Sequence, residues 1–133
     1  MIAYIVAISV LFVISAISNA VMDKISHHYS ASIFSKLNPD WWNPAYSWIN
    51  KYKNPVSKEP KFFLSTSLLV FVTDAWHFFQ FIMLTSLQII IGLSINLIFD
   101  LKWYYVIVIV IALKILWGGI FTLFYSKLFN LKK

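Results

Sequence analysis

The chain has no cysteine and no arginine, and only five of its residues are acidic. Without cysteine there is no disulfide framework, no thiolate metal site and no cysteine nucleophile. Without arginine the formal charge of +6 rests on eleven lysines. A nucleic-acid reader normally relies on the guanidinium fork for phosphates and base edges. These lysines instead flank apolar runs, as topology determinants and contacts to anionic lipid do. Nucleic acid is therefore set aside as a partner. Glycine is scarce too, with three residues, and no serine lies in the Gly-flanked turn that presents a catalytic hydroxyl.

What the chain has in abundance is apolar surface. Its 133 residues are 60% hydrophobic and 12% charged, against about 25% charged for a soluble domain. That composition describes a small polytopic membrane protein with no room for a separate soluble domain. The opening run, residues 2–22, is long enough to span a bilayer, and no charged side chain precedes it as in a secretory leader. It reads as a retained transmembrane helix, with helical patterning continuing past the membrane to about residue 37, where Asn38-Pro39 ends it. Residues 38–61 hold all four prolines and the rings of Trp41, Trp42, Tyr46, Trp48 and Tyr52. Rings with a polar tip favour the headgroup layer, so this stretch is expected to lie irregularly on the membrane surface and to roof the helices.

Residues 62–99 contain no lysine, no proline and a single glycine near the far end. This predicts one unbroken helix, crossing with its C-terminal part and overhanging with its N-terminal part. At about 100° per residue, Thr66, Thr73, Asp74, His77, Gln80, Thr85, Gln88, Gly92 and Asn96 share one face. A minimal turn follows, and residues 103–125 make a third span with Lys114 at mid-depth and Gln88 as its expected partner. The expected fold is thus all-α, with three transmembrane helices in one membrane domain. Lysine bias puts the N-terminus outside and the C-terminus in the cytoplasm, with the first two helices overhanging there. The expected location is the bacterial inner (plasma) membrane.

Two carboxylate–histidine pairs carry what chemistry the chain offers. Asp23 and His27 lie i, i+4 on the first helix, in line with Ser15 and Asn19; Asp74 and His77 lie i, i+3 on the second. The expected topology brings both pairs to one membrane face. Two imidazoles and two carboxylates suit a divalent metal, zinc or non-haem iron, which could activate water against a lipid or interfacial substrate. Asn19, Thr73 and Asp40 are candidates to orient the ligands. A second reading places haem b between His27 or His28 and His77. A third takes both pairs as polar locks between helices, in an accessory or structural subunit of a larger membrane complex.

The expected topology is testable because the chain is free of cysteine. Single cysteines at Ser57 and Lys133 should resist an impermeant thiol reagent in intact cells, and one at Leu101 should react. Labelling at Ser57 in intact cells would reverse the orientation.

Overall fold

The structure, a computed structural model, describes residues 1–128; the terminal Lys132 and Lys133 lie outside the described residues. In chain order it runs α1 (Ile2–His28), two 3₁₀ turns (Tyr29–Ala31, Ile33–Lys36), α2 (Pro39–Trp42) and α3 (Pro44–Ser47). A further 3₁₀ turn (Trp48–Lys51) leads into a small antiparallel hairpin of β1 (Tyr52–Asn54) and β2 (Glu59–Pro60). After a 3₁₀ turn at Val70–Val72 come α4 (Ala75–Phe99) and α5 (Tyr104–Leu123), and α5 runs on into a π turn at Phe124–Leu128. Three helices are long and apolar enough to cross a membrane: Ile2–Ala31, Ala75–Phe99 and Tyr104–Leu123. At 1.5 Å per residue, the 20 residues of α5 reach about 30 Å, the thickness of a hydrocarbon core.

The punctuation between α1 and α4 is written in one dipeptide used three times. Asn38-Pro39 and Asn43-Pro44 start α2 and α3 alike. Each asparagine accepts from the backbone N–H two residues on, and each proline takes the first helical position, where no N–H is needed. Asn54-Pro55 opens the hairpin turn in the same way, Asn54 Oδ1 accepting from Val56 N at 2.9 Å.

The expectation that differs most from the structure is the unbroken helix over residues 62–99. The helix starts at Ala75, and residues 62–73 fold as turns closing on the 3₁₀ turn at Val70–Val72. Ser65 Oγ, fully buried, donates to the Lys51 carbonyl at 2.7 Å and accepts from Lys61 N at 3.0 Å. Leu64 adopts φ 59, a left-handed conformation that no helix accommodates. The polar face read across 62–99 therefore holds only for its α4 part.

The chain divides into two compact units, one of Phe12–Leu84 and one of Met1–Leu11 with the chain from Thr85 onward. In the second, α4 and α5 approach so closely at Gly92 that a Cβ there would lie 3.1 Å from Val106 Cγ1. Asn96 closes the C-terminal end of α4: its amide donates to the Leu101 carbonyl, its Oδ1 accepts from Tyr4 Oη at 2.6 Å, and Leu101 N reaches the Asn96 carbonyl at 3.3 Å. That last bond is the six-to-one bond of a Schellman end, with Asp100 at φ 48 in the position glycine usually fills. Lys114 Nζ donates to Thr85 Oγ1 at 2.7 Å, one helical turn from the expected Gln88. In the unit Phe12–Leu84 the aromatic segment packs on the first turn of α4: Trp41 lies 6.4 Å from Phe78, Trp42 lies 5.9 Å from Phe79, and Phe34 stacks on Trp42 at 4.8 Å.

Burial is inverted relative to a fold made for water. Among the described residues the buried apolar side chains are Met22, Ile25 and Ala75. The buried polar ones are Ser15, Ser18, Ser32, Ser47, Ser65, Thr73, Asp74, Ser86, Gln88 and Asn96. Large apolar side chains cover the outside of all three long helices. Water would drive that arrangement the other way.

Candidate functional site at the start of α4

Asp74 is the residue immediately before α4 and is 1% exposed. Its carboxylate does two jobs. Oδ1 accepts from the backbone N–H of His77 at 2.9 Å, which caps the helix, His77 being the third helical residue. Oδ2 lies 2.6 Å from His77 Nδ1. A carboxylate offers no proton to the ring, so Nδ1 carries the hydrogen and donates. The short distance is that of a charge-assisted bond. Thr73 Oγ1 lies 3.1 Å from Oδ2 and 2.7 Å from the Val70 carbonyl, its one proton shared between two acceptors.

The imidazole of His77 is consequently fixed in position and in tautomer. With Nδ1–H committed to Asp74, Nε2 is the nitrogen left for another partner. The His77 side chain is 19% exposed against 2% for that of Asp74, so the ring is the part of the pair that reaches the surface. The rings of His77 and Trp76 meet edge to face at a centroid distance of 5.2 Å and an interplanar angle of 83°. Asn50 clamps the preceding residue: its amide nitrogen donates to the Thr73 carbonyl at 3.1 Å and to the Asp40 carbonyl, tying α2 to the base of the site.

The four expected donors are placed differently from one another. Asp74 and His77 are together. Asp23 and His27 lie exposed on the last turns of α1, where Asn19 Nδ2 reaches Asp23 Oδ2 at a long 3.4 Å. With Lys24 and His28 they line a shallow surface depression. Among the described residues no three His, Asp or Glu side chains gather into a group that could hold a metal ion. Of the three orienting candidates, Thr73 does stand at the Asp74 carboxylate, Asn19 faces Asp23, and Asp40 contributes a backbone carbonyl to Asn50. Asn50 itself carried no signal in the sequence, because its partners lie ten and twenty-three residues away.

Comparison with protein-family models, with curated proteins and with solved structures yields no match. The site's own chemistry is that of a buried carboxylate holding a partly exposed imidazole by one nitrogen, which leaves the other for use as a base or a metal donor.

The cap and the dyad can be separated by substitution. Asp74→Ala removes a helix cap and a charge-assisted bond, and should lower unfolding stability by about 2–4 kcal/mol. Asp74→Asn keeps an oxygen for the His77 N–H and should lose less than half as much. Thermal or denaturant unfolding in detergent micelles reads both. Equal losses in the two variants would mean that the cap contributes nothing.

Proposed function

We propose that this protein is a small integral membrane protein of three spans that holds a histidine–carboxylate site at one membrane interface, with His77 Nε2 as its working atom. The membrane reading rests on the inverted burial: polar groups such as Gln88 and Asn96 inside, and an almost wholly apolar exterior on helices of spanning length. Lysine asymmetry supports an orientation with the N-terminus outside and the region 38–61 in the cytoplasm. The observation that carries the functional reading is the 2.6 Å contact of Asp74 Oδ2 with His77 Nδ1, made by a carboxylate that is otherwise buried.

Such a pair has a defined chemical use. The carboxylate stabilises positive charge on the ring, so Nε2 can take a proton from water or from a hydroxyl of an interfacial substrate and later return it. The same pattern orients a histidine that binds metal, since a metal-bound imidazole nearly always donates its other N–H to a carboxylate or carbonyl. On that reading Asp74 supports the ligand and is not itself one. One imidazole alone makes a weak metal site, and Asp23 and His27 stay the candidates to complete it from α1. Proton transfer needs no further donor and is the reading we adopt.

A second reading, an accessory subunit of a larger membrane assembly, is favoured by α5. None of its spanning window is buried within the chain, against 17% and 22% for the other two helices. Helix α5 would then meet a partner helix where it now meets lipid.

Histidine-directed acylation, with each site followed by mass spectrometry, tests the proposal on the full chain in micelles. His77 should acylate at Nε2, and Asp74→Asn should slow it severalfold while leaving His27 and His28 unchanged. An unchanged rate at His77 would overturn the dyad as an activating device. Stoichiometric metal that protects His77 and is lost in His77→Ala would replace proton transfer by the metal reading, and fixed partners co-purifying without metal would favour the subunit.

A further inference from the structure

The β1–β2 hairpin takes no part in the site and is strongly charged. Residues 51–61 carry Lys51, Lys53, Lys58 and Lys61 against the single Glu59, a net charge of +3. Among the described residues Glu59 pairs with Lys53, at 3.5 Å between two well-exposed side chains, a pairing worth little in water. The tip is built stiffly. Asn54 Oδ1 accepts from both Val56 N and Ser57 N, at 2.9 and 3.4 Å, and Lys58 is held at φ 55. This turn projects Val56, which is 93% exposed. At the base Lys61 N bonds the Lys51 carbonyl at 3.0 Å, next to Asn50, which is anchored on Thr73.

We infer that this hairpin is a headgroup-binding finger: its lysines engage the anionic phospholipids of the leaflet from which α4 enters, with Val56 reaching into the interfacial layer. The inference rests on reading α4 as a membrane span and is independent of what His77 does. Reach supports it. Asn50 touches the residue before Asp74, and Val56 lies six residues beyond it, so the tip is no more than roughly 22 Å from Asn50. Lys51 and Lys61 lie at the near end of that distance. Headgroups occupy about 5–7 Å on each side of the hydrocarbon core, and charge acts over about 8 Å at physiological salt. A cationic loop tethered there faces a permanently high local concentration of lipid phosphate. Four lysines beside a spanning helix are the size of cluster that anionic leaflets retain. An apolar tip flanked by lysines gains from entering the interface, where neither part of it is left in the wrong solvent.

The test uses the full chain with one substitution, Val56→Cys, labelled with an environment-sensitive fluorophore. It is reconstituted into vesicles of phosphatidylcholine alone and into vesicles that also contain phosphatidylglycerol. A membrane-permeant quencher reads the probe on both faces. Severalfold protection should appear only with phosphatidylglycerol, and it should vanish in molar salt and when Lys51, Lys53, Lys58 and Lys61 are all replaced by Gln. Equal quenching in the two vesicles overturns the inference, as does protection that survives the four substitutions. Circular dichroism checks that the fourfold variant is folded. If it is not, Lys53→Gln with Lys58→Gln, which leaves the hairpin base intact, should remove at least half of the protection, and full retention there would overturn the inference equally.

Discussion

The carboxylate of Asp74 sets where α4 begins, and much of the surrounding structure follows from that. A helix start exposes backbone N–H groups that need acceptors, and a buried carboxylate needs donors. At Asp74 the two needs meet: Oδ1 takes the His77 N–H and Oδ2 takes the His77 ring. The positive end of the helix dipole favours negative charge at the same point. Because the helix starts there, Phe78 and Phe79 come to face Trp41 and Trp42, and the aromatic segment closes over the first turn. Asn50 pins that closure through the Thr73 and Asp40 carbonyls. A single side chain thus couples helix initiation, the docking of the Trp/Pro segment and the tautomer of the histidine.

The three long apolar helices were legible in the sequence because their signal is collective. Twenty apolar residues read as a helix of membrane length whatever any one of them does. The start of α4 was not legible for the converse reason. Residues 62–72 are as apolar as the helix that follows and contain no Pro or Gly. Their fold instead depends on Ser65 reaching the Lys51 carbonyl and on a left-handed leucine at 64, contacts that no local pattern announces. The cap residue was visible as Asp74, but it has apolar sequence on both sides and histidine in place of Glu or Gln at the third helical position. Its polar character was therefore read as part of a continuous helical face. The first helix likewise stops short of the expected point near residue 37: α1 ends at His28, Ser32 is extended at φ −105 and ψ 160, and the chain reaches Lys36 through two 3₁₀ turns before Asn38-Pro39 starts α2.

The helix face that Lys114 meets was read more accurately than the residue on it. Lys114 does engage the polar face of α4, at Thr85 and one turn from Gln88. A four-carbon stem on a neighbouring helix reaches either position, and helical periodicity alone ranks them equally. The same limit applies to the candidate site. The i, i+3 pair Asp74–His77 closes because a cap geometry bends the carboxylate back over the first turn. The i, i+4 pair Asp23–His27 lies on an exposed face with no such geometry, and Asp23 turns to Asn19.

The central claim is that Asp74 fixes the tautomer of His77, leaving Nε2 as the available nitrogen. Long-range proton–nitrogen correlation on uniformly ¹⁵N-labelled protein in micelles reads this directly, with His27 and His28 as internal references in the same spectrum. The account predicts that neutral His77 carries its proton on Nδ1 and shows a pyridine-like Nε2, and that Asp74→Ala returns it to the pattern of the exposed histidines. A proton on Nε2 of His77 in the unmodified chain would contradict it.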